Sequence, residues 1–296
     1  MRYEYLIFSI ENLKEKAYNV VVFKRSLSLQ MKKEFNKKAH QLLRIKELNG
    51  HSVHIVEPDN PKSLALLTKS YKEVYEAAFP IEEERESLDA WLKSLKGENP
   101  NVNITISILG EDLDKPKPVL KAMSIGYYYH DQNVGLLGYL VTAPEFRGHG
   151  LGRTLNEANN HALMQSADNI DKKLGGIFLE CNDPAKISPE EDVMDPAKRI
   201  DIYKKWGAIV LPVDYVQPPL TRESRKCDSL KLLAYPHPET GEYPTPDEIK
   251  AFINGIYSEL AKHNGSTPQK DPDYIKIMAQ IDAMSQKKPK PKEPSP

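Results

Sequence analysis

The chain has 296 residues, 28% of them charged and 40% hydrophobic, with a formal net charge of −1. That length allows one sizeable core with additions, and the balanced charge sets up no global field that would draw the protein to nucleic acid or a membrane surface. The only cysteines, Cys181 and Cys227, are too few for a disulfide framework, no apolar run approaches the roughly 18 residues of a membrane span, and the apolar stretch at the start is broken too early for a secretory signal. A reducing cytoplasm is the expected home, which makes the sequons at Asn103 and Asn264 coincidental.

Residues 1–50 are basic, with eleven Lys and Arg against five Glu. Met31 to Leu48 reads as a helix, because Met31, Phe35, Ala39, Leu42 and Leu43 recur on neighbouring turns. We read this section as a solvated extension packed on the core rather than as a nucleic-acid arm. From His51 the expected order is a strand to Glu57, a helix from Lys62 to Ala78, a second from Glu82 to Lys96, and strands at Asn101 to Leu109 and Val119 to Tyr129. A strand from Gly135 to Thr142 follows, then a helix from Arg153 to Ala167 with Leu155, Ala158, Ala162 and Leu163 in one stripe.

Gly175 to Cys181 reads as the next strand. Asp195 and Pro196 then supply an N-cap and a first-turn proline, and Gly207 a stop, for a helix between them. Ala208 to Leu211 and Leu230 to Ala234 are the last two strands. Beyond Pro236 a proline-rich loop leads to helices at about Asp247 to Lys262 and Asp273 to Met284, and residues 285–296 lack the apolar side chains needed for order. The expected organisation is therefore a basic extension (1–50), a core domain (51–235), a helical extension (236–284) and a tail (285–296).

The most informative stretch is Gly138-Tyr-Leu-Val-Thr-Ala-Pro-Glu-Phe-Arg147-Gly-His-Gly150-Leu-Gly152-Arg153, where a buried strand runs into a glycine turn that opens a helix. Glycines let the backbone take positive φ and approach a ligand, and the unpaired N–H groups of a first helical turn favour an anion such as phosphate. A P-loop is excluded, because Gly148 to Gly152 is one residue short and Arg153 stands in place of the lysine. A dinucleotide fingerprint is excluded too, since its last glycine falls on Arg153 or Leu155.

The residues do match Arg/Gln-x-x-Gly-x-Gly/Ala, here Arg147, Gly150 and Gly152, after a strand that ends at Pro144. In this the chain resembles the GNAT superfamily of N-acetyltransferases, and the stretch Tyr215-Val-Gln-Pro-Pro-Leu220 resembles an uncharacterised bacterial branch of it. The resemblance implies an α/β fold with a mixed, mostly antiparallel sheet flanked by helices, and transfer of acetyl from acetyl-CoA directly to an amine on a small molecule or protein. It implies that Arg147, Gly148, His149, Gly150, Leu151, Gly152 and Arg153 hold the pyrophosphate, and that Leu140, Val141 and Thr142 bond the pantetheine arm. A silent acyl-CoA-binding module is the alternative.

Within that family a tyrosine near the end of the later helix serves as acid, and Tyr203-Lys-Lys-Trp-Gly207 repeats its Tyr-x-x-x-Gly. The rival reading of Tyr203 is plain core, since Ile200, Tyr203 and Trp206 lie at helical spacing. Glu180 is the candidate base, with Glu83, Glu84, Tyr127 and His130 as rivals, water relays a further option, and a structural pairing with Arg199 as the bland alternative. The family's asparagine before the tyrosine helix has no counterpart at Asp195, so Asn182 is the candidate pantetheine contact. No metal site is expected, and Cys181 is not expected to form an acyl-enzyme.

Overall fold

A computed structural model describes residues 45–48, 50–79 and 85–286. The chain divides into two units, Met1–Lys46 and Glu47–Pro296. Most of the basic section, the helix expected from Met31, Glu83, Glu84 and the terminal tail lie outside the described residues. The end of that helix is corrected: Ile45–Leu48 is a strand, β1. Gly50 explains the difference, because it lies in a turn with a φ of +79° and an Asn-Gly pair in the sequence between apolar runs is a hairpin signal.

The remaining strands are β2 (His51–Ile55), β3 (Val102–Glu111), β4 (Val119–Tyr129), β5 (Val134–Thr142), β6 (Ile177–Asn182), β7 (Ile209–Val210) and β8 (Leu230–Tyr235). They form a sheet in the order β1-β2-β3-β4-β5-β6-β8-β7. Neighbours among β2 to β5, and the trio β6, β8 and β7, pair antiparallel, whereas β5 and β6 pair parallel.

Among the described residues, six longer helices cover the sheet. The first, α1, runs from Pro61 to Ala78 and contains a wider π-helical turn at Tyr71–Tyr75. Asn60 caps it, accepting from the Lys62 and Ser63 N–H groups at 3.1 and 3.3 Å. The second, α2 (Leu88–Leu95), begins after the expected start at Glu82, because Ser87 is extended and caps the Ala90 N–H at 3.2 Å. The others are α3 (Leu151–Asp168), α4 (Pro196–Lys205), α5 (Pro246–Asn264) and α6 (Pro272–Gln286). Asp195 caps α4 as expected. A reciprocal Thr245–Glu248 capping box starts α5, which satisfies two otherwise orphaned N–H groups.

Side-chain alternation along the strands sorts the core into two faces. On one face Leu137, Leu140, Leu179 and Cys181 pack with α3 and α4 through Leu155, Leu163 and Ile200. The other face carries two separate groups. Over β3 to β5, Leu67, Tyr75 and Trp91 of α1 and α2 meet Ile106, Ile125 and Val141. Over β5, β6 and β8, Phe252, Ile253, Ile277 and Ile281 of α5 and α6 meet Leu136, Phe178 and Leu232. Tyr127 touches both groups, so it marks the line between them.

The helices beyond Pro236 thus bury the same core as the sheet. Phe252 is fully buried and stacks on Phe178 with ring centroids 4.4 Å apart. Phe252→Ala is expected to destabilise the whole unit by about 3–5 kcal/mol, read as one cooperative denaturant transition at lower midpoint. An unchanged midpoint would show that α5 and α6 fold apart from the sheet.

Candidate active site

The glycine motif sits where β5 ends and α3 begins. Gly148 and Gly150 have φ of +83° and +77°, a left-handed backbone that side-chain-bearing residues adopt at a cost. Gly150 is the N-cap of α3 and offers no side-chain acceptor to the helix start. Among the described residues, no acceptor is found for the N–H groups of Gly148, His149, Gly150, Leu151 and Gly152, while Arg153 and Thr154 N–H groups donate to the Gly150 carbonyl at 3.1 and 3.2 Å. Five consecutive donors at the positive end of an 18-residue helix make an anion cradle.

The motif's side chains are turned to the protein. Arg147 Nε donates to the Thr142 carbonyl at 3.2 Å, His149 Nδ1 lies 3.2 Å from the Phe146 carbonyl, and Arg153 Nε donates to Glu157 at 3.1 Å. The cradle is therefore built from backbone. Gly152 has a different job from its two neighbours: a Cβ there would lie 3.2 Å from the Trp206 ring at the end of α4. Trp206 in turn meets Tyr203 edge to face, with centroids 5.5 Å apart.

Above the cradle, β5 and β6 part. Their pairing covers Gly135, Leu136 and Leu137 against Ile177, Phe178 and Leu179 and then stops. Beyond that point β5 stays paired to β4 through Thr142, and β6 stays paired to β8 through Asn182. The facing edges of Gly138–Thr142 and Glu180–Asn182 are consequently left without ladder partners, and Leu140, Val141, Thr142 and Asn182 all lie along them. Divergence begins at a bulge, where β4 passes from Ile125 opposite Tyr139 to Gly126 opposite Leu137 and leaves Gly138 unpaired. A Cβ on Gly138 would lie 2.4 Å from the Tyr127 ring.

Tyr203 and Glu180 stand on opposite faces at this gap. Tyr203 is half-buried beside Cys181 and Ile200 on the α4 face, and burial pushes its hydroxyl above the usual tyrosine range, so it stays protonated. No hydrogen bond to that hydroxyl is found among the described residues. The Cys181 thiol next to it is pushed up to about 12 by burial, which removes its nucleophilic thiolate at neutral pH.

Glu180 alternates with Cys181 and so faces α5 and α6. Tyr215 Oη donates to its Oε1, and Gln217 Nε2 donates to its Oε2 at 2.9 Å. Burial pushes its pKa up to about 7, against the lowering pull of those two bonds. The pairing with Arg199 does not occur: Arg199 makes a two-point bridge to Asp192 at 2.9 and 2.6 Å. Asp192 also accepts from Asn182 Nδ2 at 2.7 Å, so Asn182 and α4 together fasten the segment inserted between β6 and α4.

A second carboxylate, which the sequence did not single out, lies on the Glu180 face. Glu86 Oε1 accepts from Tyr127 Oη at 2.7 Å and Oε2 from Trp91 Nε1 at 3.1 Å. Its backbone is clamped as well, the carbonyl accepting from Tyr71 Oη at 2.8 Å and the N–H donating to Tyr75 Oη at 3.0 Å. Of the rival bases, Tyr127 is thus bound to Glu86, while His130 sits beyond the far end of β4 against Tyr128. As the last of four glutamates in the run Glu82-Glu-Glu-Arg-Glu86, it carried no local signal.

No family model and no curated protein sequence matches the chain. Solved structures to which it is similar include an acetyltransferase of the GNAT family from Bacteroides thetaiotaomicron, at 17% identity over 62% of this chain and 85% of that one, TM-score 0.41. The ribosomal-protein-S18-alanine N-acetyltransferase from Escherichia coli is similar at 14% identity over 64% and 97%, TM-score 0.37. PaiA N-acetyltransferase from Thermoplasma acidophilum, solved with coenzyme A, is similar at 13% identity over 62% and 98%, TM-score 0.37. The chain itself has a mixed α/β sheet in which β5 parts from β6 and a glycine turn opens α3.

Proposed function

We propose that the protein is an acetyl-CoA-dependent N-acetyltransferase that passes the acetyl group directly to an amine. The observation that carries this reading is the continuity of the gap between β5 and β6 with the N–H cradle at Gly148–Gly152. One takes an extended arm along unpaired strand edges, the other a charged phosphate end. A silent acyl-CoA-binding module needs only those two features, whereas Tyr203 and Glu180 at opposite mouths of the gap favour turnover.

Bound acetyl-CoA would supply a thioester carbonyl and a thiol leaving group. Gly148, His149, Gly150, Leu151 and Gly152 would bind its phosphates by backbone N–H, and Leu140 to Thr142 would align its arm along β5. Glu180, ionised above about pH 7, accepts a proton from the acceptor's ammonium at a carboxylate oxygen on the α5 face, which frees the amine lone pair to attack the thioester carbon. Tyr203, held protonated by burial, donates its hydroxyl proton on the α4 face to the thiolate as the C–S bond breaks, and the proton that the nitrogen sheds on becoming an amide restores it. The sheet itself separates base from acid, so neither group neutralises the other.

Gly150→Asp is expected to abolish binding of CoA measured by calorimetry, because the position needs a φ of +77° and the new carboxylate faces phosphate. Retained affinity in a folded variant would remove the cradle from the proposal. Tyr203→Phe keeps the ring against Trp206 and should lower kcat by ~10²–10⁴ fold while leaving the melting temperature and CoA affinity near their original values. A purely core role for Tyr203 would leave turnover untouched in this variant.

The base makes a pH prediction. Only ionised Glu180 can take a proton, so the rate should fall as pH drops through about 7 and level off above it. In Glu180→Gln the rate should be low and that inflection absent. An inflection that survives in the variant would assign it to another group.

A further inference from the structure

Resting on that reading, we infer that the acceptor is a slender aliphatic diamine or polyamine: Glu180 serves the amine that reacts, and Glu86 holds a second ammonium on the same molecule. The argument begins with the cost of burying a carboxylate without a cation. Elsewhere this protein meets that cost with an opposite charge. Asp192, Asp183 and Asp271, each under a tenth exposed in its side chain, bond Arg199, Lys231 and Lys226 at 2.6, 2.9 and 2.7 Å.

Glu86 and Glu180 differ. Each is half-buried, and each is held by two neutral donors, Tyr127 with Trp91 in one case and Tyr215 with Gln217 in the other. Among the described residues neither has an ion pair. Both carboxylates lie on one face of the sheet, at the line where the α1–α2 group and the α5–α6 group meet, and this line runs past the gap where the acyl end would lie. Their charges act together on Tyr129 and Tyr139, whose hydroxyls both are held well above the usual range, chiefly by burial.

Other charges at this line do not change the balance. Glu259 of α5 is already bonded to Lys262 and Asn99, each at 2.5 Å, and His263, 3.8 Å from Glu259, is the base whose charge reaches Glu86 when protonated. The side chains packed around Glu86 are aromatic: Tyr75, Trp91, Phe79 and Tyr139 lie with centroids between 4.6 and 6.1 Å apart. Aromatic faces and carboxylates suit a cation on a thin apolar stem. An anionic amine would meet two negative groups and no cation bound to either.

The test compares three acceptors of equal length, 1,4-diaminobutane, butylamine and 4-aminobutyrate, with the full chain and acetyl-CoA, following free CoA. The diamine should have a kcat/KM roughly 10- to 100-fold above butylamine, the value of a charge-assisted hydrogen bond, and 4-aminobutyrate should be the poorest. Glu86→Gln should raise KM for the diamine by the same factor, leave KM for butylamine within about twofold, and leave CoA affinity by calorimetry unchanged. Equal rates for diamine and monoamine, or CoA binding without acetylation of the diamine, would overturn the proposal even where the variant fails to fold. Failure to bind CoA at all would instead reject the parent reading.

Discussion

The end of ladder pairing between β5 and β6 after Leu137 and Leu179 is the constraint on which the rest depends. A continuous sheet would have sealed its own backbone and separated its two faces. Because each strand keeps its outer partner, the parting costs only the bonds of one short seam, and the surrounding sheet holds the gap open. Everything of chemical interest is then placed relative to that gap: the cradle at its lower end, Tyr203 on one face, Glu180 and Glu86 on the other. Gly138 begins it, since the unpaired residue of the bulge must also admit the Tyr127 ring.

Three glycines of the motif share a spacing yet perform two physical tasks. Gly148 and Gly150 give the backbone a left-handed turn that aims N–H groups outward. Gly152 gives α3 a notch for Trp206, and through that ring sets the position of Tyr203. The N–H cradle and the candidate acid are in this way parts of one packed unit, although about 50 residues separate them along the chain.

The fold was legible wherever the signal is local. Strand-turn-helix order about Arg147-Gly-His-Gly150, the Asp195 cap and the end of α4 at Gly207 all follow from residues next to one another. Glu180 and Tyr203 stood out in the sequence as candidates, though not as occupants of opposite faces, which the alternation of Glu180 with Cys181 could have shown. The partners were hidden for a physical reason. Tyr215 and Gln217 reach Glu180 from 35 and 37 residues away, and Tyr127 reaches Glu86 from 41, distances at which only the folded sheet decides proximity. Periodicity likewise ran Lys46 to Leu48 on as helix, because it carried no weight for the Asn-Gly turn.

The π-helical turn at Tyr71–Tyr75 has a consequence for Glu86. Both tyrosine hydroxyls of that turn grip the Glu86 backbone, and a π turn holds one residue more than an α turn of 3.6 residues. Each residue advances an α-helix by about 100°, so the extra residue resets the angular phase of everything after it. Were the turn to relax to regular α geometry, the two hydroxyls could not both keep their present bearing. The orientation of the Glu86 carboxylate is thus encoded in a local winding defect one helix away.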